Sequence, residues 1–386
     1  MCEKFDDERV MVMGIRARDL HIPFEGTPGK YNAITDVDGV HVGHTTLIEG
    51  EGPLRVGQGP VRTGVTAILP QGQVHAPVMA GVHVLNGNGE MTGTIWIEES
   101  GWLEGPVMIT NTHSVGTVRD AVIAWTVERR LFHPLERDIF WSLPVVGETY
   151  DGTLNDINGF HVKPEHVFAA LDAAAVGPVE EGNVGGGTGM ICHGFKGGIG
   201  TSSRVIAQED GGYTGGYTVG ALVQANYGSR RNLLIAGVPV GQEIPDLLPE
   251  IHAGAAPMGA GSIIIVLATD APLLPHQLRR VAQRASLGLA RMGGMGANSS
   301  GDIFIAFSTA NTSAWQRSEP TQVTMLPNDC ITPIFEAAVH ATEEAIVNAM
   351  VAAQTMHGRD GNTVHALPHE RVRDVMRKHG RLTIVD

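Results

Sequence analysis

The sequence predicts an α+β layered fold, and three observations carry that reading. Short apolar segments of strand character recur at 34–42, 64–69, 79–85, 107–110 and 217–225, punctuated by Gly, Pro and Asn. A strand–helix–strand–helix ending follows them, and this mixed order favours α+β layers over a doubly wound sheet. The 386 residues are 42% hydrophobic and 18% charged, with no charged or low-complexity linker to divide them, so one domain over 1–386 is expected.

Three stretches read as helices. In 115–131, Val115, Val118, Val122 and Trp125 fall along one stripe. In 275–291, Leu278, Val281, Ala282, Ala285 and Leu289 recur at helical spacing, with Arg279, Arg280, Gln283 and Arg284 opposite. Thr332 and Pro333 read as the N-cap and first position of a helix running to about Met356.

The most informative stretch is 238–269. Pro239, Pro245, Pro249 and Pro257 make its beginning a loop, which passes into small residues: Gly254, Ala255, Ala256, Gly259, Ala260 and Gly261. Ser262 then opens Ser-Ile-Ile-Ile-Val-Leu-Ala, an apolar run that reads as a buried central strand.

Composition excludes several classes. The net charge of −14 disfavours nucleic acid, whose phosphates need clustered Lys and Arg. The 50 Gly residues have no fixed period, so they mark tight turns and close backbone approaches rather than a repeat. Cys2, Cys192 and Cys330 are isolated, with neither metal spacing nor a disulfide framework. No apolar run approaches the ~18 residues of a membrane helix, and residues 1–18 lack the apolar core of a signal peptide. The expectation is a cytoplasmic protein without membrane or nucleic-acid partners.

A Ser at the first position of a buried strand sits on rigid scaffold. A small-residue loop before it can bend the Gly261 carbonyl toward the Ser262 hydroxyl. Attack there gives an ester by N-to-O shift, and water then releases a new amino terminus. That α-amine, with an ordinary pKa of about 7.7–8.0, can act as the base for the same hydroxyl. Gly-Ser before a strand is also a common turn, so the spacing alone does not decide between the two.

Six segments carry a family resemblance. They are Asp36-Val-Asp-Gly-Val-His-Val-Gly-His44, Pro144-Val-Val-Gly-Glu-Thr-Tyr-Asp-Gly-Thr-Leu-Asn-Asp156, Asn183-Val-Gly-Gly-Gly-Thr-Gly-Met190, Val223-Gln-Ala-Asn-Tyr-Gly228, Gly261-Ser-Ile-Ile-Ile-Val-Leu-Ala-Thr-Asp-Ala-Pro-Leu273 and Ser300-Gly-Asp-Ile-Phe-Ile-Ala-Phe-Ser-Thr-Ala-Asn311. In this order, from about Tyr31 to Met356, the chain resembles the self-processing L-aminopeptidase D-amidase/D-esterase family, which includes the β-peptidyl aminopeptidases.

The resemblance implies a four-layer αββα sandwich, like the N-terminal-nucleophile hydrolases in architecture but different in strand connectivity. It implies cleavage between Gly261 and Ser262 into an α chain, 1–261, and a β chain, 262–386. These stay together in a homo-oligomer, commonly a tetramer of heterodimers, with no cofactor. The implied nucleophile is Ser262. Asn226 is the implied oxyanion donor, and Tyr150 a second donor near the same centre. Ser300 and Asp302 are implied to hold the Ser262 amine and hydroxyl in register. The implied substrate is a small peptide, amino-acid amide or ester. One departure is Asp302, where the β-peptidyl branch tends to carry Glu, so β-peptide activity does not carry over with the rest.

Glu148 lies two residues before Tyr150, so on an extended backbone both side chains share a face. Since the resemblance places Glu-Thr-Tyr-Asp-Gly in a substrate pocket, Glu148 is the expected partner of a substrate ammonium group.

Other motifs carry less. His41 and His44, three apart on a strand, point to opposite faces and have no third ligand in view, so no metal is expected. The Gly-rich region 182–200 lacks a phosphate-loop signature and reads as close backbone packing. Two rival functions stay open: an acyltransferase of the ornithine acetyltransferase type, and a small-molecule binder that never matures.

Overall fold

The computed structural model describes residues 14–133, 139–208, 215–253, 261–315 and 319–382. The small-residue run 254–260 and Cys2 lie outside the described residues.

Two sheets form the centre. The smaller has the order β1 (His41–Glu49), β2 (Val61–Leu69), β5 (Val107–Asn111), β6 (Val145–Thr149). The larger has the order β4 (Trp102–Leu103), β3 (Val78–Gly87), β12 (Gly301–Ser308), β11 (Ser262–Thr269), β10 (Tyr217–Asn226), β9 (Gly198–Ile206). Two short hairpins, β7 (Ile191–Cys192) with β8 (Phe195–Lys196) and β13 (Met356–His357) with β14 (Thr363–Val364), stand outside them.

The helices of note here are α1 (Thr94–Ser100), α2 (Val115–Arg129), α3 (Pro164–Asp172), α4 (Val240–Glu243), α5 (Pro275–Arg291), α6 (Thr332–Val351) and α7 (His369–Lys378). Residues of α2 and α3, such as Val118 and Leu171, pack on the outer face of the small sheet against Val65 and Met108. Residues of α5 and α6, such as Val281 and Ile346, cover the outer face of the large sheet. Between the sheets, Ile68 and Ile109 meet Leu222, Ile264 and Ile305. The layers are therefore α, β, β, α, a four-layer sandwich.

The strand opened by Ser262 sits at the middle of this arrangement. All eight of its residues are buried. Side chains alternate across a strand, so Ile263, Ile265 and Leu267 face the α5/α6 layer, while Ile264, Val266 and Ala268 face the other sheet. Two apolar faces explain why this segment reads as an unbroken apolar run. β11, α5 and β12 form a parallel crossover unit, followed by α6, as the mixed order at the end of the chain predicts.

Two elements differ from the sequence reading. The predicted strand 34–42 begins instead as a 3-10 turn, Ile34–Asp36. The Asp36 carboxylate accepts from the Tyr31 N–H at 2.9 Å, the Ala33 N–H at 3.1 Å and the Ser203 hydroxyl at 2.6 Å. Such local side-chain bonds compete with sheet pairing, and the strand starts only at His41. The helix α6 begins at Thr332, with Ile331 rather than Thr332 as its N-cap, and ends at Val351, before Met356 enters β13.

The Gly-rich stretch packs rather than cradles. The N–H groups of Gly185 and Gly186 donate to the Thr46 and Thr66 hydroxyls at 2.9 and 3.1 Å, so they are already spent. A Cβ on Gly187 would lie 2.8 Å from the Gly198 Cα, too close for any side chain. His44 is half-buried with its Nδ1 2.9 Å from the Thr66 hydroxyl, and no group of three metal-ligating side chains occurs among the described residues. No helix among them is long and apolar enough to cross a membrane.

Candidate active site

Strand pairing brings the site together. Ser262, first in β11, is the Cα partner of Asn226, last in β10. On the other side, Ile263 pairs with Asp302 of the parallel strand β12. Three strand ends therefore meet at one edge of the sheet, and side chains far apart in sequence become neighbours.

The hydrogen bonds order this cluster. The Gly301 N–H donates to the Ser262 Oγ at 3.0 Å. The Ser300 hydroxyl donates to the Asp302 Oδ1 at 2.6 Å. The Asn226 Oδ1 accepts from the Ile191 N–H at 2.8 Å, while its Nδ2 donates to the Tyr150 carbonyl at 3.0 Å. The amide is thus held from both ends, and among the described residues one N–H of its Nδ2 stays uncommitted.

A cavity of about 900 Å³ opens over the cluster, within the size range of ligand sites. Tyr150, Asn226, Ser300 and Asp302 line it, with Leu248 and Met295 among its apolar walls. Tyr150 is 38% exposed, whereas Ser262 is 6% exposed and lies beneath its paired neighbour Asn226 rather than in the lining. No His, Lys or Cys lines the cavity among the described residues.

Burial dominates the electrostatics. It pushes the Asp302 carboxyl above its ordinary range, against the pull of the Ser300 hydroxyl and the Ile263 N–H. It likewise raises the Tyr150 phenol, which the Arg359 charge partly offsets.

Glu148 is placed differently from the other sequence-derived residues. It is only 4% exposed and does not line the cavity. Its carboxylate accepts from the Glu90 N–H at 3.1 Å and from the Thr112 hydroxyl, and burial raises its pKa. It stands close behind Gly301: a Cβ on Gly89 would lie 3.2 Å from the Glu148 Oε1 and 3.0 Å from the Gly301 Cα. Tyr150 falls beyond the end of β6 at Thr149, so strand alternation does not govern it, and the two side chains differ in exposure.

Gly261 has a steric reason for its identity. A Cβ there would overlap the Asn226 carbonyl oxygen and sit 3.0 Å from the Tyr227 Cα.

Sequence reasoning brought together Ser262, Asn226, Tyr150, Ser300 and Asp302, and the structure gathers all five. It missed the Gly301 and Ile191 N–H groups and the Tyr227 ring, which is 4% exposed and has no partner for its hydroxyl among the described residues. Gly301 could have been found from Ser-Gly-Asp, because a residue between two site residues shares their place on the strand end. The Ile191 contact leaves no local signal.

The arrangement is suited to acyl chemistry. It has a buried hydroxyl, an oriented amide donor, and a carboxylate braced by a second hydroxyl. Removal of an oriented amide donor of this kind costs roughly 3–4 kcal/mol in a comparable site.

Comparison with known proteins gives a consistent picture. The model of peptidase family S58 matches residues 32–364. The chain is 56% identical over 381 residues to the β-peptidyl aminopeptidase BapA of Sphingosinicella microcystinivorans, covering 96% of this chain and 93% of that one. It is 47% identical to BapA of Sphingosinicella xenopeptidilytica, covering 94% and 91%. Among solved structures, the L-aminopeptidase D-Ala-esterase/amidase of Ochrobactrum anthropi, described as a new variant among the Ntn hydrolase fold, superposes with a TM-score of 0.87 at 52% identity, covering 95% of this chain and 99% of that one. The β-aminopeptidase of a Burkholderia species superposes with a TM-score of 0.84 at 52% identity, with the same coverage.

Proposed function

The chain belongs to peptidase family S58, and on that premise we propose that it is a self-processing serine aminopeptidase whose nucleophile is Ser262 once the bond to Gly261 is cut. The observation that carries the reading is the meeting of Ser262 with Asn226 and Asp302 at adjacent strand ends, beneath a cavity that no His or Lys lines among the described residues. A hydroxyl so placed needs a base, and its own freed α-amine would be the nearest one.

In maturation, the Ser262 Oγ attacks the Gly261 carbonyl carbon and the amide nitrogen leaves, giving an ester. Water hydrolyses the ester to a Gly261 carboxylate and a free Ser262 amine. In turnover, that amine takes the Oγ proton as Oγ attacks the substrate carbonyl. The uncommitted Asn226 N–H and the Tyr150 phenol donate to the oxyanion. The proton then passes to the leaving amine, and water releases the acyl group from Oγ. Ser300 and Asp302 hold the Ser262 amine in register.

The substrate class we infer is short peptides, amino-acid amides and esters with a free amino terminus. The ammonium group is assigned to the side of Glu148 and Asp302, the carboxylates next to Gly301. Because relatives named β-peptidyl aminopeptidases are 56% and 47% identical, a β-residue amino terminus belongs in the same substrate panel. Cleavage leaves the sheet standing, since β11 and β12 of the second piece lie between β10 and β3 of the first. Assembly as a homo-oligomer of such heterodimers belongs to the same proposal.

Intact mass with amino-terminal sequencing tests the reading. The expected result is two chains together equal to the 41.0 kDa precursor plus one water, the second beginning at Ser262. A single uncut active chain, or a fragment beginning elsewhere, would overturn it.

A further inference from the structure

Two adjacent guanidinium groups stand in the cavity wall in opposite states. Arg230 is buried, and all its N–H groups are spent on backbone carbonyls. Its Nε donates to His193 at 3.0 Å, its Nη1 to Ile244 at 3.1 Å and to Asp246, and its Nη2 to Gly194 at 2.7 Å and Leu247 at 3.1 Å. It ties the segment before the Gly261–Ser262 junction to the 193–194 turn and has nothing left for a ligand. Arg231, the next residue, also lines the cavity; it is exposed and makes no hydrogen bond or ion pair among the described residues.

The cavity wall carries charges of both signs. Asp302 is the one carboxylate among the described lining residues, and Arg230 and Arg231 are the cations. The carboxylate stands beside Ser262. From Asn226, the Cα partner of Ser262, the chain reaches Arg231 in five residues, a span of at most about 18 Å at full extension. A short peptide carries the complementary pair, an ammonium group at one end and a carboxylate at the other. Each extended residue adds about 3.3–3.6 Å, so two to four residues lie within this reach. An uncommitted guanidinium fork matches a carboxylate in two parallel hydrogen bonds.

We propose that Arg231 binds the C-terminal carboxylate of short peptide substrates, so that the cavity selects free peptides of about two to four residues over the same sequences blocked at the C-terminus. This rests on the aminopeptidase reading above and adds to it a determinant of substrate length and end group. Arg231 acts in binding, away from the reacting carbonyl, so its effect belongs in KM. Its exposure limits the effect through solvent and salt screening, and about threefold to fivefold is the expected size.

The test uses one tripeptide in two forms, with a free carboxylate and with a C-terminal amide, hydrolysed by the mature wild type, Arg231→Gln and Arg231→Lys. The wild type should favour the free acid about threefold to fivefold in kcat/KM, through KM, and the preference should narrow as salt rises. Arg231→Gln should bring the ratio close to one, and Arg231→Lys should fall between. A folding defect would lower both substrates together and leave the ratio standing, so the ratio reports on the carboxylate alone. A wild-type ratio near one, or a ratio in Arg231→Gln equal to wild type, overturns this inference and leaves the aminopeptidase reading intact. Hydrolysis of neither form by the wild type overturns both.

Discussion

Asn226 and Ser262 face one another as a Cα pair, the last residue of β10 against the first of β11. This register decides which side chain stands over the Ser262 hydroxyl. A slip of one residue would turn Asn226 to the opposite face of the sheet and bury its amide in the wrong layer. The Ile191 N–H and the Tyr150 carbonyl then fix the amide from its two ends. The position and the orientation of the donor thus come from different parts of the chain.

Asn226→Ala should lower kcat by about 10²–10³ in the matured enzyme, if the amide stabilises charge mainly in the transition state. Self-cleavage should slow as well, because both reactions pass through a tetrahedral centre. Steady-state kinetics on protein verified by mass as fully cleaved are the check. A kcat near wild type would remove Asn226 from the mechanism.

Gly261→Ala should slow maturation at least tenfold. The added Cβ would overlap the Asn226 carbonyl oxygen, so the junction must move away from the very strand that holds the donor. A time course of precursor mass after expression measures this. Conversion at the wild-type rate would show that the tight approach has no part in the cleavage geometry.

Glu148→Gln should raise KM for substrates with a free amino terminus and narrow their advantage over N-acetylated ones, with cleavage before Ser262 intact. The basis is the nearness of its carboxylate to Gly301, whose N–H holds the Ser262 hydroxyl. The matched pair of free and acetylated p-nitroanilides gives the ratio in both proteins. If wild type hydrolyses the two equally well, the role assigned to Glu148 is wrong.

Lys196 should leave a mark on the pH dependence of stability. Its ammonium is buried among the carbonyls of Gly187, Met190 and Gly197, and burial pushes its pKa down to about 7 from 10.5. Between these values the unfolded chain binds a proton that the folded chain does not, so this group makes stability rise with pH from about 7 to 10.5. Below about 7 both states are charged and the full cost of burial is carried. Relative to Lys196→Met, the unfolding free energy of wild type should therefore climb across that window and stay level beneath it. Denaturant titrations at several pH values give the comparison, and a flat difference would refute it.

Much of this was legible in the sequence wherever the signal is local. The helix α5 runs over 275–291, as its apolar spacing predicts, because a stripe of Leu, Val and Ala at helical period has one way to be buried. The strand opened by Ser262 is buried along its whole length, as its unbroken apolar run implies. The residue types of the site were visible too, through motifs that keep their order along the chain. Where local pattern misled, at 34–42, the cause was a carboxylate, Asp36, whose partners include Ser203, far along the chain.

The sequence by itself determined the family, the layered class and the identity of the candidate nucleophile, since these rest on residue types, periods and order. Only the tertiary structure decided that β11 runs parallel to β12 and antiparallel to β10, which places Asp302 and Asn226 on the two sides of Ser262. It alone buried Glu148 behind Gly301, spent every donor of Arg230 on carbonyls and left Arg231 in the cavity wall without a partner among the described residues. The physical reason is that periodicity reports which face of an element is buried, whereas register and burial depth depend on pairing between segments tens to hundreds of residues apart.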